Sequence, residues 1–195
     1  NFKLGGAAES IVKMSEFLIQ NGFSIVILSL GKNSFKKKLK YIGCEIMELD
    51  SSRTFYAIPK IRKIIKSEIV KNHPKLIFVS NIHYANIISI ISCYGFRKKL
   101  KLVLTERSSL SELLIYSNLK KYLKNLLIYY LAKRLYHLSN FIITNSKFEK
   151  KYIINNFKLS NILCIHPASI KKIYKKKNKI IKKIIKIIYV GRISE

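Results

Sequence analysis

The sequence predicts an α/β fold in which helices cover both faces of a parallel sheet. Two observations lead to this prediction. Short apolar segments of strand length alternate with longer segments in which apolar residues recur at helical spacing. The short segments are apolar at consecutive positions, as expected for strands that are buried on both faces of a parallel sheet.

The individual elements follow from apolar spacing and from residues that begin and end helices. The first helix is expected to present one apolar face, made of Ile11, Val12, Met14, Phe17 and Leu18. Pro59 suits a first helical turn, Gly95 a helix end, and Asn145-Ser146 the start of the last helix. The expected strands are 23–29, 44–49, 76–80, 101–105, 141–144 and 161–165. The expected helices are 57–72, 82–94 and 147–156, and two more lie between 110 and 139 with a break near 117–118. Residues 31–41 are expected to form a basic loop or a short helix.

Changes in composition divide the chain into three segments. Residues 1–168 hold the strand–helix alternation and are expected to form a Rossmann-like domain. Residues 169–186 are rich in lysine and isoleucine without any acidic residue, and we expect a basic linker there. Residues 187–195 begin a new strand and loop, as at the start of a second domain. Since the first element is a helix with no strand before it, we expect a fragment that is truncated at both ends.

The chain of 195 residues carries a formal net charge of +28, from 38 basic and 10 acidic side chains. Such a charge suggests binding to nucleic acid or to an anionic membrane surface. Lysine, isoleucine and asparagine are abundant together, however, and Asp50 is the only aspartate, as expected from the coding bias of an AT-rich genome. The lysines are scattered and form no nucleic-acid-binding motif, so we expect no specific nucleic-acid partner. A general attraction to anionic lipid or substrate stays open.

The cysteines and the hydropathy pattern indicate a cytoplasmic protein. Cys44, Cys93 and Cys164 lie far apart in apolar segments, without a CxxC pattern, which favours buried free thiols in a reducing compartment. No apolar run reaches the about 18 residues of a membrane span, and no signal peptide is visible. We expect neither a metal site nor a cofactor.

Gly5 and Gly6 stand directly ahead of the first helix. Free backbone N–H groups and the positive end of the helix dipole make such a turn a site for phosphate. The absence of side chains lets a ligand approach the backbone, although the same pair also suits an ordinary tight turn. Glu9 lies in the first helical turn, where a carboxylate is favourable.

Parallel α/β sheets bind ligands at the carboxyl ends of their strands. This rule selects the polar residues that follow three predicted strands: Ser80-Asn81 with His83, Thr105-Glu106-Arg107-Ser108, and Asn145-Ser146. Glu106 can accept a hydrogen bond from a hydroxyl group of a ligand, and Arg107 can bind an anionic group. Alternatively, the two residues form an ion pair that holds the loop. His83 is expected at the start of a helix, exposed to solvent.

Three motifs, in their order and spacing, resemble the family 4 glycosyltransferases of the GT-B fold. Gly5-Gly6-Ala7-Ala8-Glu9 is similar to the family's Gly-Gly-x-Glu loop. The segment 141–146 is similar to the strand and serine that end the acceptor domain, and 189–195 resembles the opening of the donor domain. The resemblance implies an N-terminal acceptor domain and the start of a donor domain. It also implies transfer of a sugar from a nucleotide-sugar donor with retention of configuration.

The resemblance assigns roles to particular residues. The donor phosphates would be bound by Gly5, Gly6 and Arg192. The catalytic candidates are Glu106 and Arg107, which stand where many relatives carry a histidine. The acceptor-binding candidates are Glu9, Asn81, His83 and Ser146. The implied acceptor is a glycan or a lipid-linked sugar in cell-surface polysaccharide or glycoconjugate synthesis. Since the family's paired glutamates lie in the part absent from this sequence, the fragment is expected to be inactive alone.

Other interpretations remain open. A Rossmann dehydrogenase would require G-x-G-x-x-G and a later acid, which the sequence lacks. A basic α/β domain that binds nucleic acid or an anionic surface without catalysis is consistent with the charge. The segment 119–138 mixes leucines with lysines, as in a helix that lies on a membrane surface. The alternative for this segment is a core-facing helix with a solvated rim.

Overall fold

A computed structural model of the chain describes residues 6–31, 33–51, 54–71 and 76–166. The strands are β1 Val26–Ser29, β2 Glu45–Glu48, β3 Leu76–Asn81, β4 Leu100–Glu106, β5 Phe141–Thr144 and β6 Ile162–Cys164. The helices are α1 Gly6–Gln20, α2 Lys36–Tyr41, α3 Ala57–Val70, α4 His83–Cys93, α5 Leu119–Leu135 and α6 Lys147–Phe157. Short 3-10 helices lie at Thr54–Tyr56, Leu110–Leu114 and Tyr136–Leu138.

The strands pair in parallel throughout the described residues. β1 pairs with β2, and β3, β4, β5 and β6 form a second sheet in that order. The register brings the strand ends together: Asn81 lies beside Thr105, and Glu106 lies beside Thr144. The predicted α/β class is confirmed, and the carboxyl ends of β3, β4 and β5 share one edge.

Helices pack on both faces of the β1–β2 sheet because its apolar residues alternate between two clusters. Ile25 and Ile27 join a cluster around Val12 of α1 and Leu39 of α2. Leu28 joins the main core, whose buried residues include members of α3, α4, α5 and α6. That main core also contains Leu100, Leu102 and Leu104, which share one face of β4. The other face of the four-stranded sheet carries the exposed apolar residues Ile77, Val79, Phe141 and Leu163.

The observed elements differ from the predicted ones mainly at their ends. β1 begins at Val26 rather than at residue 23, and the helix predicted over 57–72 ends at Val70. The predicted break near 117–118 is confirmed, but the part before it is the 3-10 helix Leu110–Leu114 rather than a full helix. The predicted linker 169–186 and the start of a second domain at 187–195 lie outside the described residues, so the domain division stays a prediction.

The described residues also bear on the thiol and membrane predictions. Cys44 and Cys93 are buried, Cys164 is partly buried, and all three are free thiols. Burial raises the pKa of the Cys93 thiol to about 12, so this group stays protonated and unreactive near neutral pH. Over the described ranges, no helix combines the length and apolarity needed to cross a membrane.

Candidate active site

Asn81 joins the carboxyl ends of two neighbouring strands. Its Oδ1 accepts a hydrogen bond of 2.6 Å from the hydroxyl of Thr105 and one of 3.2 Å from Nε of Arg107. The third strand end is joined to this group, since Nδ2 of Asn145 donates to the Arg107 carbonyl oxygen at 2.9 Å. The structure therefore brings together the strand-end residues that the sequence selected from β3, β4 and β5.

The turn between β3 and α4 has an unusual backbone. Ile82 has φ 75° and ψ 139°, a positive φ that is a genuine outlier for a β-branched residue. The conformation is held in place because the Ile82 N–H donates to the Thr105 carbonyl oxygen at 3.0 Å. It turns the chain sharply from β3 into α4. Strain of this kind is concentrated at functional sites, so the outlier favours a role for this edge.

Glu106 lies at the end of β4 and is only 1% exposed. Its Oε1 accepts a hydrogen bond from Nδ2 of Asn86 at 2.7 Å and another from the hydroxyl of Tyr136. Burial, together with the Glu106 charge, raises the pKa of the Tyr136 phenol well above its ordinary value, so the phenol keeps the proton that it donates. These two donors hold the carboxylate in one orientation. Glu106 is therefore bound by Asn86 and Tyr136, and not by the ion pair with Arg107 that the sequence left open.

His83 is the first residue of α4, as expected, but the prediction that it is exposed is wrong. It is 8% exposed, and the centre of its ring lies 4.7 Å from that of the neighbouring Tyr84 ring. Its Nδ1 lies 3.8 Å from Oε2 of Glu106. Within the described residues, both of these buried atoms lack a hydrogen-bond partner.

Arg107 is partly buried and cationic at this edge. Burial lowers the pKa of its guanidinium, which nevertheless remains protonated, as arginine does in proteins. Nε donates to Asn81. The two terminal guanidinium nitrogens have the fork geometry that binds carboxylate or phosphate. Arg107 is therefore a positive group that Asn81 holds at the same strand edge as the His83–Glu106 pair.

Ser146 caps α6, and Glu149 joins that helix to the loop after β4. The Ser146 hydroxyl accepts from the Glu149 N–H at 3.1 Å. The Glu149 carboxylate is 2% exposed and accepts from the Ser109 hydroxyl at 2.7 Å and from the Leu110 N–H at 3.0 Å. Burial raises the pKa of Glu149 despite these hydrogen bonds. This arrangement fixes the loop that carries Arg107.

The remaining predicted site residues lie elsewhere or outside the described residues. Glu9 occupies the first turn of α1 and pairs with Lys38, its Oε1 lying 3.1 Å from Nζ. Gly6 is the first residue of α1, whereas Gly5 and Arg192 lie outside the described residues. The described residues contain no cluster of histidine, cysteine and acidic side chains that could hold a metal ion.

Sequence reasoning missed three residues of this arrangement: Asn86, Tyr136 and Glu149. Asn86 carried a usable signal, because it follows His83 by three residues, so that the two share a face of α4. Tyr136 and Glu149 gave no such signal. Each lies at the end or start of an ordinary helical pattern, and only the packing of α5 and α6 brings it to the strand ends.

The fold and this edge together define a parallel α/β domain, a class in which ligands bind at the carboxyl ends of the strands. A family model described as Glycosyltransferase Family 4 matches residues 4–168, so the chain belongs to that family. A crystal structure of a glycosyltransferase from Rickettsia africae ESF-5 is similar, with a TM-score of 0.54 and 17% identity. The match covers 84% of this chain and 40% of that one. No curated protein matches the chain.

Proposed function

We propose that this chain is the acceptor-side domain of a retaining glycosyltransferase. The donor is a nucleoside-diphosphate sugar, and the acceptor is a glycan or lipid-linked sugar of cell-surface polysaccharide or glycoconjugate synthesis. The proposal is supported most directly by the polar cluster at the carboxyl edge of a family 4 domain, which contains Arg107, held by Asn81, and the His83–Glu106 pair. Parallel α/β folds place ligands at that edge.

Arg107 is proposed to bind an anionic group of the substrates. Departure of a nucleoside diphosphate builds negative charge on the phosphate oxygens, and fixed cations and N–H groups offset that charge. In the same proposal, Gly5, Gly6 and Arg192 bind the donor phosphates. No metal is required for this charge balance.

His83 is proposed to contact an acceptor hydroxyl, with Glu106 acting behind it. Glu106 is 1% exposed, so its carboxylate meets an acceptor only through a group that lies in front of it. His83 is proposed as that group, because its Nδ1 lies 3.8 Å from Oε2, and a ring rotation that shortens the gap by about 0.7 Å would give a hydrogen bond from Nδ1–H to Oε2. The other ring nitrogen is then left as the acceptor of a hydroxyl proton.

The test is sugar transfer by the complete gene product, with a panel of nucleotide sugars and acceptors. Arg107→Gln is expected to lower kcat/KM by about 10- to 1000-fold, the range for loss of a charge-stabilising group. Arg97→Gln is the matched control, since Arg97 is exposed at the turn before β4, at the opposite edge of the sheet. Equal effects of the two substitutions, or binding of no nucleotide sugar at all, would rule out the proposal.

A further inference from the structure

Helix α5 has two apolar faces on opposite sides. Ile128, Tyr129 and Ala132 are buried against the main core. With about 100° of rotation per residue, Leu119, Leu123, Leu127 and Tyr130 fall in an arc of about 80° on the far side of the helix. Their exposed fractions lie between 55% and 63%. We call these four residues the outer face of α5.

The outer face is not the solvated rim that a core-facing helix normally presents. A helix that packs on a core usually carries charged and polar residues on its opposite side. Here that side carries three leucines, a tyrosine and, near the end of the helix, the exposed Arg134. The patch continues before the helix through Ile115 and Tyr116, exposed by 64% and 66%. The Tyr116 ring lies 5.5 Å from the Tyr122 ring, so this extension is attached to α5. A contiguous exposed apolar surface of this kind marks an interaction site.

Basic residues border the outer face, and α5 contains no acidic residue. Lys120 and Lys124 are exposed along one side of it, and Lys133 is exposed on the other. Lysines whose alkyl chains lie along an apolar surface keep their charged ends at the level of lipid headgroups. An aliphatic centre, tyrosines and a purely basic border together match an anionic lipid interface.

We infer that the outer face of α5 docks the domain on an anionic membrane surface. The helix would lie in the plane of the interface, with Leu119, Leu123 and Leu127 among the acyl chains and the lysines at the phosphates. This inference stands apart from the proposed sugar transfer, because it depends only on α5 and its borders.

Direct contacts connect the core-facing side of α5 to the start of α4, which carries His83. The Tyr84 hydroxyl donates to Oδ1 of Asn125 on α5 at 3.1 Å, and the Lys124 ammonium lies 5.3 Å from the centre of the Tyr84 ring. Tyr84 follows His83 at the start of α4. The outer face lies on the opposite side of α5, so this helix would lie between a membrane under that face and the start of α4.

The experiment is vesicle flotation of this 195-residue chain. The vesicles contain phosphatidylcholine alone, or phosphatidylcholine and phosphatidylglycerol in equal amounts. Since the whole chain carries a charge of +28, binding to anionic vesicles alone does not locate the contact. The deciding variant is therefore Leu123→Gln with Leu127→Gln, which keeps the charge and removes the apolar insertion. The matched control is Tyr41→Gln with Val70→Gln, exposed by 91% and 79% on other helices.

We expect the leucine variant to lose at least about tenfold in partitioning onto anionic vesicles, because each buried leucine contributes substantially to insertion. The control should bind as the unaltered chain does. Retained binding in the leucine variant would overturn the inference. So would a concentration-dependent dimer that this variant abolishes without a change in vesicle binding, since the outer face would then serve a second copy. Circular dichroism checks that each variant is folded.

Discussion

Nδ1 of His83 lies 3.8 Å from Oε2 of Glu106, and neither buried atom has a hydrogen-bond partner in the described part of the chain. The distance is too long for a hydrogen bond and too short to hold a water between the two atoms. The pair is therefore close to a geometry in which the imidazole donates to the carboxylate. Asn86 and Tyr136 already fix the other carboxylate oxygen, so movement of the histidine ring is what closes the gap.

The first prediction concerns the buried carboxylate of Glu106. Glu106→Gln is expected to lower the free energy of unfolding by about 1–3 kcal/mol, because Asn86 and Tyr136 would then donate to a neutral amide oxygen, a weaker acceptor than the carboxylate oxygen that accepts both bonds. Urea unfolding measures the loss. The control Glu112→Gln, exposed on the 3-10 helix, should stay within about 0.5 kcal/mol. Equal stability of both variants would contradict the role assigned to Glu106.

The second prediction concerns the phenol donor. Tyr136→Phe keeps the ring, which packs 6.0 Å from the Phe157 ring between centroids, but removes the hydroxyl that donates to Glu106. We expect a loss of about 1–2 kcal/mol, since one of the two donors to a buried carboxylate disappears. Tyr130→Phe is the matched control, because Tyr130 is on the outer face of α5 and 56% exposed. Thermal unfolding of the two variants should therefore differ, and identical midpoints would count against the hydrogen bond.

The third prediction concerns pH. Burial raises the pKa of Glu149 above its ordinary value of 4.5, so the folded chain holds a proton that the unfolded chain releases. This contribution makes stability fall as pH rises from 4.5 through the pKa of the folded state. Glu149→Gln removes the contribution, so its stability relative to the unaltered chain should improve as the pH rises above 4.5. Urea unfolding at a series of pH values measures the difference, which would be constant if Glu149 had an ordinary pKa.

The fourth prediction concerns the end of α6. Lys158 follows this helix in the left-handed conformation, with φ 56° and ψ 44°. Glycine adopts this conformation without a steric cost, so Lys158→Gly is expected to stabilise the chain by up to about 1 kcal/mol. Lys151→Gly, an exposed position within the same helix, should instead cost about 1 kcal/mol. Two thermal unfolding midpoints that shift in the same direction would show that the backbone conformation is not the cause.

The strand ends illustrate how far prediction from sequence reaches. The parallel pattern selected Asn81, Arg107 and Asn145, because in a parallel sheet the residues after each strand meet at one edge. The structure joins those three residues through hydrogen bonds. Exposure was harder to predict: His83 was expected in solvent, yet the sharp turn at Ile82 directs it onto the end of β4. A positive φ at isoleucine has no signature in the sequence.

The order of apolar and polar residues was enough to determine an α/β domain with parallel strands, the break before α5 and the edge at which polar groups gather. These features depend on local periodicity and on helix ends, and neighbouring residues carry that information. The tertiary structure alone decided that Tyr136 and Asn86 hold Glu106, and that α5 presents a second apolar face outward. Both depend on which side of each helix meets the sheet. That choice comes from packing among segments distant in the chain, which a helical period does not specify.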